Sequence, residues 1–166
     1  MRNGNLLFKK MKRKKIVVAV SGGFDPLHVG HLQLFEEAKK LGDELVVILN
    51  NDNWLKKKKG YVFIPQNERK EILQSIKWVD KVILTKHASN PKNMSVNKEL
   101  LKIKPAIFAN GGDRTKNNIP EVAVCQKIGC QMVFNVGRDG KIQSSSWLLE
   151  KFLNLANKNL KERNED

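Results

Sequence analysis

The chain has 166 residues, 40% of them hydrophobic, which is the length and apolar content of one globular domain. No apolar run approaches the roughly 18 residues of a membrane span, the basic first fifteen residues lack the apolar core of a secretory signal, and Cys125 and Cys130 make no disulfide framework, so a reducing cytoplasm is the expected home. The formal charge of +14 is spread along the chain, with clusters at 9–15 and 56–59; it reads first as solvated lysine, then as a complement to an anionic small substrate, and nucleic acid is not the expected partner because the aromatic repeats of an RNA-reading sheet are missing.

Past a basic tail over residues 1–14, strand and helix signals alternate. Residues 16–20 are a β-branched apolar run, hence a buried strand. Residues 31–41 put Leu34, Phe35, Ala38 and Leu41 on one helical face, with Gly42 as the stop. The second strand is 45–49. Residues 50–65 are polar and lysine-rich and read as a loop or mobile segment. A helix over 66–76 faces inward through Ile72, Leu73 and Ile76, and 82–84 is the third strand. After a loop with an Asn90-Pro91 turn signal come a short helix over 96–102, a fourth strand over 106–109 and a polar Gly-Gly loop over 110–118. A helix over 120–128 has proline near its start. The fifth strand is 131–136. The last helix, 146–159, carries Leu148, Leu149, Phe152 and Leu153, and a tail follows from 160.

This alternation predicts an α/β fold: a single-domain, Rossmann-like, doubly wound sheet of five parallel strands with helices on both faces, spanning 15–159. Ligands bind beyond the carboxyl ends of such strands. The segments 21–31, 50–60, 110–118 and 138–146 therefore share the ligand edge.

The first of these segments carries the strongest chemical signal. After the strand come Gly22-Gly23 and then His28 and His31, three residues apart at a helix start. That spacing puts both imidazoles on one helical face. The helix N-terminus offers unpaired N–H groups and a partial positive charge, which suits phosphate. Gly30 leaves room for a ligand to approach the backbone. Neither G-x-x-x-x-G-K-[ST] nor G-x-G-x-x-G occurs. Zinc would need further ligands, and His87, Cys125 and Cys130 fall at no familiar spacing, so no metal held by the protein itself is expected. An isolated histidine pair would read as ordinary helix-start residues; the Gly-Gly-Phe-Asp-Pro context favours a phosphate site.

Gly23-Phe24-Asp25-Pro26-Leu27-His28-Val29-Gly30-His31 resembles the signature of the cytidylyltransferase-like nucleotidyltransferase superfamily, whose core is H-x-G-H. The resemblance runs from residue 16 to about 153. It includes Leu41-Gly42-Asp43, Asn67-Glu68-Arg69, Gly111-Gly112-Asp113 and Ser144-Ser145-Ser146, in the family's order. It implies transfer of a nucleoside monophosphate from a nucleoside triphosphate to a phosphorylated acceptor, with in-line attack on the α-phosphorus and release of pyrophosphate. Catalysis would then be positioning and charge stabilisation.

By the same resemblance, His28 and His31 donate to the reacting phosphate, and Mg²⁺ bridges the leaving pyrophosphate oxygens. One lysine of 56–59 neutralises phosphate, with Lys56 and Lys59 nominated. The implied nucleotide contacts are Gly22, Gly23, Phe24, Asp25, Gly30, Gly112, Asp113, Arg114, Arg138, Ser144, Ser145 and Ser146. Phe24 also reads as a packing residue, as does Trp147, which stands where many relatives carry Lys or Arg. Arg69 divides evenly between a phosphate contact and a structural partner of Asp or Glu.

Gly111-Gly112-Asp113 is similar to the heptose 1-phosphate adenylyltransferases. The layout is also similar to the glycerol-3-phosphate cytidylyltransferases, whose final motif is closer to R-T-E-G-I-S-T-T than residues 138–146 are. ATP with a sugar phosphate such as heptose 1-phosphate is the first expectation, and CTP with a polyol phosphate the second. Archaeal-type FAD synthetases and pantetheine-phosphate adenylyltransferases are further options. The resemblance implies a homodimer, and no lipid-anchoring or membrane segment points to a membrane partner. Outside this class stand a nucleic-acid-binding module and a catalytically dead relative.

Overall fold

The computed structural model describes residues 13–112, 114–117, 119–137 and 143–163. Among these, the elements run β1 (Val17–Gly22), α1 (Val29–Lys39), β2 (Glu44–Leu49), α2 (Asp52–Lys59), α3 (Gln66–Gln74), β3 (Lys81–Leu84), α4 (Asn97–Ile103), β4 (Ile107–Ala109), α5 (Val122–Ile128), β5 (Gln131–Val133) and α6 (Ser145–Arg163). The five strands form one sheet in the order β3-β2-β1-β4-β5, and all four pairings are parallel. The expected five-stranded α/β architecture is what the chain adopts.

Alternation along the central strand divides the interior in two. Val18 and Val20 point into one core with Phe35, Ala38, Leu45 and Leu73; Ala19 points into the other with Ile48, Leu100, Phe108 and Cys125. Both faces are covered, so the strands read as continuous apolar runs. Each fully buried Val, Leu or Phe contributes about 1.5–3 kcal/mol. The strand order reverses at β1, which makes the crevice beyond the carboxyl ends of β1 and β4 the natural ligand position.

Several boundaries differ from the sequence expectation. Residues 50–65 contain α2 instead of a continuous loop. Asn51 caps it, its side chain accepting from Trp54 N, and Gly60 ends it at φ 83°. Lysine is a good helix former, and four lysines in the last turn complement the negative end of the helix. The helix is anchored by one fully buried apolar residue, Leu55, which is why no apolar stripe betrays it. α1 begins at Val29 with His28 as its N-cap, so the two histidines bracket its first turn. β5 stops at Val133; Asn135, at φ 57°, turns the chain so that Val136 N donates to Asn110 O. α6 continues to Arg163, past the expected start of a C-terminal tail at 160. The expected N-terminal tail falls mostly on residues 1–12, outside the described residues.

Cys125 and Cys130 are buried and unlinked. Burial and the neighbouring Cys125 push the Cys130 thiol up to about 12, so it is an unreactive packing residue.

Candidate active site

A cleft of about 310 Å³ opens where the fold predicts one. The end of β1 (Ser21, Gly22, Gly23), the end of β4 (Ala109, Asn110), the start of α1 (His28, Gly30, His31) and the start of α6 (Ser144, Ser145, Ser146) all line it. Two helix N-termini therefore converge on one space, each with backbone N–H groups that its own helix cannot satisfy.

The histidines are held by their own turn of helix. Their rings stack with centroids 3.7 Å apart and planes at 26°. His28 N donates to His31 Nδ1 at 3.3 Å. With Nδ1 accepting, the His31 ring proton resides on Nε2, which makes Nε2 a donor. Burial, then the nearby His28 and Lys59, push His31 down to about 3. Burial and Lys59 also lower His28. A neutral imidazole that donates through Nε2 is the result for His31. Phe24 lies edge-on to His31, 5.0 Å between centroids, and to Phe35, at 5.2 Å. It is 5% exposed and sits at φ 50°. Its position is that of a support beneath His31, matching the packing reading of this residue. A Cβ at Gly30 would stand 3.1 Å from His28 Cε1, so this glycine makes room for the His28 ring itself.

A buried polar lattice ties the β1–α1 loop to the α2–α3 segment. Asp25 is fully buried; Oδ1 accepts from Ile64 N at 2.7 Å and Oδ2 from Phe63 N at 2.8 Å. Its carboxylate is thus consumed by backbone, and Asp25, expected among the nucleotide contacts, acts as a brace. Arg69, 1% exposed, donates through Nε to Ile64 O, through Nη1 to Gly23 O and Asn50 O, and through Nη2 to Asp52 Oδ1 at 2.6 Å. Of its two expected roles, Arg69 fills the structural one. Lys59 Nζ donates to Asp25 O at 2.7 Å and lines the cleft. Burial holds its ammonium below the ordinary value, with Asp25 opposing and Arg69 adding to the shift.

The four lysines of α2 are not equivalent. Lys58 and Lys59 line the cleft. Lys57 donates to Asn90 Oδ1 at 2.7 Å. Lys56 is exposed and lies outside the cleft lining, which corrects its nomination beside Lys59.

At α6, Ser144 Oγ accepts from Trp147 N at 3.2 Å, and Ser145 Oγ donates to Pro26 O at 2.9 Å. Ser144 caps the helix, Ser145 fastens its start to the β1–α1 loop, and Ser146 lies on the cleft, exposed. Trp147 is 50% exposed and outside that lining. Gly112 and Arg114 line the cleft, and Arg114 Nη1 donates to Ser21 Oγ at 3.2 Å. Asp113 and Arg138 lie outside the described residues. Sequence reasoning singled out neither Trp54 nor Asn110 and left Lys58 unnamed within the run 56–59, though all three line the cleft. Asn110 and Trp54 both fall in segments placed on the ligand edge because each follows a parallel strand, but nothing in either side chain singled it out.

Comparison with known proteins agrees with this geometry. Residues 19–146 match the model of a family described as Cytidylyltransferase-like. The FAD synthase of Pyrococcus abyssi is 43% identical over 103 residues, covering 61% of this chain and 66% of its own length, so that match leaves about a third of the relative unaligned. The FAD synthase of Thermoplasma volcanium is 30% identical over 142 residues, covering 84% of this chain and 96% of its own length. A crystal structure of a lipopolysaccharide core biosynthesis protein from Thermoplasma volcanium superposes with a TM-score of 0.60 at 30% identity, covering 76% of this chain and all of that one. The matched span runs from within β1 through the histidine turn and the α2–α3 brace to the start of α6, and the chain belongs to the cytidylyltransferase-like family of nucleotidyltransferases.

Proposed function

We propose that this protein transfers AMP from ATP to the phosphate of FMN, forming FAD and releasing pyrophosphate. The observation that carries the reading is the convergence of His28, His31, Lys59 and the first turn of α6 on one cleft at the sheet's switch point. An oxygen of the acceptor phosphate attacks the α-phosphorus of ATP. The bond from that phosphorus to the oxygen bridging to the β-phosphorus breaks, and pyrophosphate departs with the electron pair. Charge grows on the α-phosphate and the leaving group, where His31 Nε2–H, Lys59 and the helix N–H groups supply fixed donors.

Among the described residues no group of three or more His, Cys, Asp or Glu is placed to hold a metal ion. A Mg²⁺ ion carried by the triphosphate fits that donor set better than one caged by protein. When bound, it supplies charge neutralisation on the leaving pyrophosphate.

FMN is preferred to heptose 1-phosphate as acceptor because relatives from Pyrococcus and Thermoplasma, at 30–43% identity, are named FAD synthase. A sugar phosphate is the second reading, favoured by the lipopolysaccharide core biosynthesis protein among the structural neighbours. The test is pyrophosphate release with ATP or CTP and Mg²⁺ against FMN, heptose 1-phosphate and glycerol 3-phosphate. FAD formation from ATP and FMN is expected. Turnover of only a sugar or polyol phosphate would replace the acceptor and keep the reaction; no turnover of any pair would overturn the reading.

A further inference from the structure

α2 carries three cleft residues, Trp54, Lys58 and Lys59, yet it has little of its own to hold it in place. Leu55 is its one fully buried apolar side chain, and four lysines fill its last turn. A helix of eight residues does not persist by propensity alone. Its position has to come from polar contacts, and these lie on two flanks. One flank is the Asp25–Arg69 lattice. The other is the segment 85–95, which follows β3 at the same edge of the sheet.

That second flank runs the length of the helix. Asn51 N donates to Thr85 Oγ1 at 3.0 Å. Asn51 Nδ2 and Asn53 Nδ2 both donate to His87 O, at 2.8 and 2.9 Å. Trp54 Nε1 donates to Met94 O at 2.8 Å, and Lys57 Nζ to Asn90 Oδ1 at 2.7 Å. The N-cap, the first turn and the last turn of α2 are thus tied to one stretch of chain.

The His87 ring closes that stretch on itself. Nε2 lies 3.2 Å from Ser95 O, and a carbonyl can only accept, so Nε2 carries the proton. In the neutral ring Nδ1 then accepts from the Thr85 hydroxyl, 2.8 Å away. Thr85 Oγ1 keeps a lone pair for the Asn51 amide. Donors and acceptors therefore run in one direction, from Asn51 through Thr85 and His87 to Ser95. Thr85 and Ser95 are both buried, so the two ends joined by the ring are fixed points of the fold.

We propose that His87 is a positioning residue for the transfer reaction: by joining Thr85 to Ser95 it sets the segment against which α2 lies, and so the place of Lys58 and Lys59 in the cleft. His87 is not among the cleft-lining residues and touches no reacting atom. The inference rests on nucleotidyl transfer in this cleft and holds for whichever acceptor is used.

The test uses the full chain with ATP, Mg²⁺ and the acceptor that the pyrophosphate-release panel identifies. His87→Phe keeps a ring but neither hydrogen bond. It is expected to lower kcat/KM about tenfold, the scale of one or two lost hydrogen bonds, chiefly by raising KM. A merely structural role would shrink the folded fraction and lower kcat with KM unchanged. His87→Gln keeps an amide donor for Ser95 O and recovers most of the KM. The three tryptophan indole N–H signals of a ¹⁵N-labelled sample give a second readout, with Trp54→Phe assigning its own. His87→Phe moves the Trp54 signal and leaves those of Trp78 and Trp147 in place. Should His87→Phe fail to fold, Asn53→Ala removes one tie from the helix side, with KM raised about threefold and the Trp54 signal moved. The proposal falls if the folded variant keeps KM within twofold of wild type, or if its Trp54 signal does not move. If wild type turns over no acceptor, the transfer reading falls and this role falls with it.

Discussion

The backbone amide of His28 lies 3.3 Å from Nδ1 of His31, and the two rings stack at 3.7 Å. One peptide group thereby sets the tautomer of the second histidine. Phe24 supports that ring edge-on, so its Nε2–H is both chosen and held before any substrate arrives. Preorganised donors of this kind require no rearrangement as charge develops.

Removing that donor should affect rate far more than fold. His31→Ala is expected to lower kcat about 10²–10³-fold, with a melting temperature within a few degrees of wild type. His28→Ala should fall in the same range, since it also removes the stacking partner. Turnover and thermal melting measured on the same preparations decide it. A folded His31→Ala protein with near-normal turnover would remove the histidine pair from the chemistry.

The depressed titration of His31 has a signed consequence for stability. An unfolded histidine titrates near 6.5, while His31 in the fold is pushed down to about 3. Between those values the unfolded chain binds the extra proton. Stability is therefore complete above about pH 6.5 and declines as pH falls, by about 1.4 kcal/mol per unit inside the window. Asp43 is held low by the Ile16 amide, and Asp80 is lowered by Lys39 and the Leu45 amide despite the opposing effect of burial. Their contributions are lost only as pH drops through the range below 3.8. Urea unfolding at pH 7, 6 and 5 should show wild type losing stability faster than His31→Asn. Parallel curves would mean that His31 is not held neutral by the fold.

The lysines of α2 should separate sharply. Lys59 lines the cleft and is positioned by Asp25 O. Lys56 is exposed outside the cleft lining. Lys59→Ala is expected to reduce kcat/KM at least tenfold, the loss of one charge-assisted phosphate contact of about 1.5–3 kcal/mol. Lys56→Ala should stay within twofold. Equal losses in steady-state assays of the two variants would show a diffuse field instead of a placed charge.

The sheet was legible because β-branched runs and their spacing leave few arrangements for a parallel fold. The histidine turn was legible because Gly-Gly, Pro and two histidines sit on one strand–helix junction. α2 was not, although Asn51 before it and Gly60 after it are cap signals. Its interior offers only Leu55 as a buried anchor and ends in four lysines, so hydrophobic periodicity fails there. Without the helix, Trp54 and Lys58 could not be told apart from their neighbours in the segment 50–60, and the resemblance alone set Asp25 among the nucleotide contacts. Nothing local in Asp25 says that its oxygens meet the amides of residues 63 and 64, nearly forty positions away. Tertiary partners of buried charges cannot be read from spacing.

Arg69 gives the clearest test of that buried lattice. Its guanidinium meets three carbonyls and the Asp52 carboxylate from four directions, while only 1% of the residue is exposed. Lysine carries the same charge but a single compact head, and it cannot reproduce the fork. Arg69→Met leaves those acceptors unpaired and should cost about 3 kcal/mol or more. Arg69→Lys should recover little of it. Asp52 is partly exposed, so Asp52→Asn should cost much less, about 1 kcal/mol. Because Gly23 and Asn50 precede the cleft residues of α1 and α2, Arg69→Lys should also raise KM for both substrates even where the protein remains folded. Urea unfolding and steady-state kinetics of the three variants provide the measurement. An Arg69→Lys protein as stable as wild type would show that charge alone, not the directed fork, holds the two loops together.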